Sequence, residues 1–88
     1  MPEAKPFMVR LWIDSKVAKY FKRKKISPSQ HLDENKDGSL DITLHLTDFM
    51  EIAPLVLMWI PNVVVLEPQG LKDFIKKRVE DYLGVLES

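Results

Sequence analysis

Residues 31–48 read His-Leu-Asp-Glu-Asn-Lys-Asp-Gly-Ser-Leu-Asp-Ile-Thr-Leu-His-Leu-Thr-Asp, and two structures compete for them. In one, Asp33, Asn35, Asp37 and Asp41 supply oxygens at positions 1, 3, 5 and 9 of a calcium loop, with Gly38 at its sharp turn. Such a loop needs a bidentate glutamate at position 12 and a helix on each side, but that position is Leu44. In the other, Asp37-Gly38 is the turn of a β-hairpin. The residues that follow decide between them. Leu40, Ile42, Leu44 and Leu46 alternate with Asp41, Thr43 and His45, which is the period of a strand with one buried face. The stretch therefore reads as a hairpin, with a weaker strand over residues 29–35 before the turn.

Working outward, residues 8–13 alternate as well. Val9, Leu11 and Ile13 share one face; Met8, Arg10 and Trp12 share the other. Asp14 or Ser15 can accept from free backbone N–H groups and so cap a helix that runs to about residue 25. Its apolar face holds Val17, Ala18, Tyr20, Phe21 and the stem of Lys24. Ile26-Ser27-Pro28 ends it, because proline cannot continue a helix. Downstream of the hairpin, Asp48 and Glu51 have the spacing of a capping box. Pro54 lies too deep for a first-turn proline of that helix, so a kink or late restart is expected there. Residues 63–66 form a short β-branched strand. A last helix over residues 69–86 presents Leu71, Phe74, Ile75, Val79, Tyr82, Leu83 and Leu86 as one stripe, with Asp73–Lys77 and Lys76–Glu80 as pairs four apart.

The element order is β-α-β-β-α-β-α. Its first six members give an α+β fold, the ferredoxin-like β-α-β-β-α-β sandwich, with an additional C-terminal helix. The helices should cover Val9, Leu11, Ile13, Leu40, Ile42, Leu44 and Leu46. Arg10, Trp12, Asp41, Thr43 and His45 should lie on the opposite face. The last helix could cover that face, extend the helical layer or dock on a partner. Eighty-eight residues suit one domain, expected over residues 8–88, with residues 1–7 a linker or cut end.

Thirteen basic and thirteen acidic side chains cancel, so bulk charge argues for neither nucleic acid nor membrane. Charge is nonetheless segregated: Lys16, Lys19, Lys22, Arg23, Lys24 and Lys25 precede an acidic stretch from Asp33 to Glu51. Cysteine is absent, which removes disulfides and thiolate chemistry and fits a reducing cytoplasm. The first seven residues lack the apolar run of a signal peptide, and the longest apolar run, residues 52–61, is far short of a membrane span. No nucleophile elbow, Gly-rich phosphate loop or catalytic triad is present. His31 and His45 are thin support for a metal, and neither a metal nor another cofactor is expected. The candidate ligand or nucleic-acid contacts are Arg10, Trp12 and His45 on the open sheet face, and Lys22, Arg23, Lys24 and Lys25 at the helix end. Each has an ordinary alternative. Trp12 can serve packing or dimer contact, and the basic run can simply complement the helix dipole.

Five segments in order, Val9-Arg10-Leu11-Trp12-Ile13-Asp14 with Val17-Ala18, Ser27-Pro28-Ser29-Gln30, Asp37-Gly38-Ser39-Leu40 with Leu44, Val63-Val64-Val65-Leu66-Glu67-Pro68, and Leu71, resemble a known family. It is the C-terminal extension (WCX type) of WYL-domain transcriptional regulators, and the likeness spans about residues 8–83. Ile26, Ile60 and Pro54 depart from its usual pattern. The resemblance implies a ferredoxin-like fold and no catalytic residues. It also implies a bacterial cytoplasmic protein in which this piece follows a WYL domain and a DeoR-type helix-turn-helix. Those two parts are not within these residues, so an excised domain or fragment is expected. The implied role is dimerisation and effector sensing within a DNA-binding regulator, with a homodimer and, in some members, a nucleic-acid effector. The alternative is a stand-alone ferredoxin-like domain that binds single-stranded nucleic acid or a small ligand.

Overall fold

A computed structural model describes residues 5–88; most of the stretch expected as a linker or cut end lies outside the described residues. Strand β1 (Phe7–Ile13) starts one residue before the alternation suggested, because Phe7 pairs with Leu46. Helix α1 (Ser15–Arg23) is capped by the Asp14 carboxylate, which accepts from the Lys16 N–H at 3.0 Å. It stops two residues short of the expected end, with Lys24 already extended. Strands β2 (His31–Glu34) and β3 (Leu40–Leu46) form the hairpin. A 3-10 turn (Phe49–Glu51) carries the expected capping box between Asp48 and Glu51. A separate helix α2 (Ala53–Trp59) then begins, with Pro54 in its first turn where the missing N–H costs nothing. The restart at Pro54 is thus real. Strand β4 (Val63–Glu67) and helix α3 (Gln69–Glu87) complete the chain.

The sheet order is β2-β3-β1-β4, with every neighbouring pair antiparallel, which is the ferredoxin-like arrangement. Val9, Leu11, Ile13, Leu40, Ile42, Leu44 and Leu46 are all buried under the helices. Ala18 and Phe21 of α1, Ile52, Ala53 and Val56, and Leu71 and Ile75 of α3 close the same core. The third helix therefore extends the helical layer and leaves the outer sheet face uncovered. Phe49 is the seam of this docking, edge-on to Phe7 at 5.4 Å and near Phe74 at 6.0 Å. Gly70 permits it, since a β-carbon there would sit 3.1 Å from the Phe49 ring.

The hairpin reading holds. Asn35 N–H donates to the Ser39 carbonyl, Gly38 N–H donates to the Asn35 carbonyl, and Gly38 sits at φ +89. The Asp37 carboxylate accepts from the N–H and hydroxyl of Ser39 at 2.9 and 2.6 Å. Asp37 thus serves its own turn rather than pointing outward to an ion.

Two expectations for α3 need correction. Its stripe is buried for only half its length: Leu71 and Ile75 are buried, Phe74 and Val79 half-buried, and every residue from Glu80 onward exposed. Among the described residues nothing covers these last turns. The side-chain pairs also differ. Asp73 accepts from Gln69, Lys77 pairs with Asp81 at 2.9 Å, and no ion pair joins Lys76 to Glu80 among the described residues. Lys77 lies four residues from both aspartates, and Asp73 is already engaged in the helix's first turn.

Candidate functional site

The sequence candidates fall into two groups on opposite layers. Arg10, Trp12 and His45 lie on the outer sheet face, which also carries His31, Asp33, Asp41 and Thr43 by register. Arg10 is committed to Glu67 at 3.8 Å. Trp12 sits between Asp41 and Val64 in the register and is half-buried. Asp33 lies directly opposite Asp41, a like-charge pair. This face presents one strand aromatic and several acids, whereas single-strand binders combine successive aromatic platforms with a cationic groove.

The two histidines do not meet as a pair across the hairpin. His31 is opposite Thr43 and 3.3 Å from Asp33, and His45 is two residues further along β3. The His45 backbone exchanges hydrogen bonds with the Ser29 hydroxyl. Among the described residues no group of three or more His, Asp or Glu side chains is placed to hold a metal ion.

The basic run divides at the end of α1. Lys22 and Arg23 lie in the last helical turn, where cations offset the dipole's negative end. Lys22 also pairs with Glu34 at 2.6 Å. Lys24 and Lys25 lie past the helix, on the wall of a cleft of about 240 Å³ between α1 and α2. Tyr20 and Phe21 line it from α1, and Pro54, Leu55, Met58 and Trp59 from α2. Trp59 is held edge-on by the buried Phe21 at 5.2 Å and lies 4.8 Å from Tyr20 at a tilt of 43°. Lys24 Nζ stands 3.4 Å from the Tyr20 hydroxyl and 5.8 Å from its ring centre, so the ammonium sits at the hydroxyl end of the ring. The wall beyond it is fixed because Ile26 N–H donates to Gln30 Oε1 at 2.8 Å. No carboxylate among the described residues lines this cleft.

By sequence Tyr20 belongs to the apolar face of α1 and Trp59 has no evident role. Nothing in either helix alone signals that two rings from distant segments converge beside two lysines.

A second concavity of about 490 Å³ lies where α2, β4 and α3 meet, lined by Val56, Ile60, Val64, Lys72, Asp73 and Lys76 among others. It borders the free edge of β4. Beyond it projects the uncovered end of α3, with Tyr82, Leu83, Val85 and Leu86 exposed.

These features define a small α+β domain of ferredoxin-like topology built around clefts and uncovered faces. The WCX domain family matches residues 5–83, nearly the whole chain, and the chain belongs to that family. No curated protein matches it. The family places the domain in transcription regulation, in the context of WYL-type regulators. No helix among the described residues is long and apolar enough to cross a membrane.

Proposed function

We propose that this domain is the non-catalytic dimerisation and effector-sensing module of a bacterial DNA-binding regulator, working beside a WYL domain and a helix-turn-helix. Family membership supports the regulatory part. The observation that carries dimerisation is the end of α3. Past Val79, its stripe of Tyr82, Leu83 and Leu86 continues for about 10 Å beyond the core with nothing beneath it among the described residues. Large apolar side chains grouped in this way mark a contact surface. The groove beside β4 offers a counterpart. Lys72 and Lys76 there complement Glu80, Asp81 and Glu87 on the helix tip. A two-fold dimer uses both patches twice, each tip seated in the other copy's groove.

Sedimentation equilibrium tests this. The 10.2 kDa chain should run as a dimer, and the double substitution Leu83→Glu with Leu86→Glu should return it to a folded monomer. A monomer at high micromolar concentration, or a dimer indifferent to those substitutions, would contradict the reading. In an intact regulator, deleting residues 8–83 should weaken dimerisation or the effector response.

A further inference from the structure

We propose that the cleft between α1 and α2 binds a small planar aromatic anion, with its ring against Tyr20 and Trp59 and its phosphate or carboxylate at Lys24 and Lys25. This deepens the effector-sensing part of the reading above and rests on it.

Three observations converge. The first is the aromatic wall. Trp59 is fixed from below by Phe21, which is only 1% exposed, while Tyr20 beside it remains 43% exposed. A rigid indole and an open phenol ring together form a surface for another flat ring.

The second is charge. Lys24 and Lys25 have no carboxylate partner among the described residues, and the helix dipole is already met by Lys22 and Arg23. Two ammonium groups without a carboxylate partner on a low-dielectric wall attract an anion. Lys24 is moreover held toward the aromatic side by Tyr20.

The third is size. A cavity of about 240 Å³ falls just below the range of about 300–1,000 Å³ usual for drug-sized ligands. It suits one or two fused rings and one acidic group, not an extended peptide or strand.

The chemistry has two sources, a nucleotide or an aromatic carboxylate, and the test separates them. ¹⁵N-labelled chain is titrated with adenosine 5′-monophosphate and, separately, with indole-3-acetate. Adenosine alone and inorganic phosphate alone serve as controls. Shifts should concentrate on the Trp59 indole N–H and on the amides of Tyr20, Lys24, Lys25 and Met58. They should weaken with added salt. Whichever of the two anions binds identifies the source. Lys24→Gln with Lys25→Gln should weaken binding about tenfold, the effect of losing charged hydrogen bonds. Tyr20→Leu should weaken it by a similar factor while leaving the exposed lysines in place.

No shift at the cleft with either anion at about 5 mM would overturn the proposal. So would equal shifts from inorganic phosphate alone, or binding unchanged in the lysine double variant. Running the same titration on the Leu83→Glu, Leu86→Glu chain keeps the two readings apart. An unsubstituted chain that dimerises but shows no cleft shifts overturns only the ligand site, and an unsubstituted chain that binds while remaining a monomer overturns only dimerisation.

Discussion

At residue scale the hairpin turn shows how one carboxylate is occupied. Asp37 is held below its ordinary value of 3.8, chiefly by the Ser39 hydroxyl and then by the Ser39 N–H. A folded-state value below the unfolded one stabilises the native turn above the unfolded value, and that stabilisation is lost as pH falls through the lowered one. The relevant window is therefore the acid limb. Ser39→Ala should bring the Asp37 carboxyl back toward its ordinary value, followed by carbon-detected NMR titration, and should flatten the loss of stability in acid. An unchanged Asp37 titration would show that Ser39 does not govern it. Gly38 makes a separate demand, because φ +89 strains any residue with a β-carbon. Gly38→Ala should cost about 1–2 kcal/mol in urea unfolding, with the nearby Ser15 Cβ at 3.4 Å adding no clash. The first effect follows from a hairpin turn in which Asp37 is bonded to Ser39.

At the scale of elements, what was legible followed from period. Leu40, Ile42, Leu44 and Leu46 announced their strand because burial on one sheet face imposes alternation. Asp48 and Glu51 announced their capping box because it has a fixed spacing. Pro54 announced a break, and the chain answers it with a 3-10 turn and a new helix. Asp48→Ala should therefore cost about 1 kcal/mol through the lost cap. Pro54→Ala should change stability by less than about 1 kcal/mol, because its ring already sits at a permitted position. A large loss at Pro54, measured by thermal unfolding, would mean the restart depends on it.

Other features were not legible for equally physical reasons. Helical period shows which side of α3 is apolar but not how far the underlying sheet extends, so Tyr82, Leu83 and Leu86 read as one stripe with Leu71 and Ile75 although they lie beyond the core. The run Lys22-Arg23-Lys24-Lys25 reads as one cluster. Only the helix end at Arg23 separates two dipole-facing cations from two that line a cleft. The convergence of Tyr20 with Trp59 depends on how α1 and α2 pack, which no local pattern encodes.

For the molecule as a whole, the radius of gyration is 14.0 Å, against about 12 Å for a compact chain of this length. The projecting helix accounts for part of that excess, and it separates stability from assembly. Leu71→Ala, at a fully buried anchor of α3, should cost about 2–5 kcal/mol. Removing residues 82–88 should leave the unfolding midpoint of the monomer nearly unchanged and abolish self-association. The proposed dimer seats each α3 tip in the groove of a second copy. Isotope-filtered NMR on an equal mixture of ¹³C-labelled and unlabelled chain tests it most directly. Intermolecular contacts are expected from the Leu83 and Leu86 methyls to Ile60 and Val64. Their absence at millimolar concentration, or contacts from those methyls to another face, would contradict it.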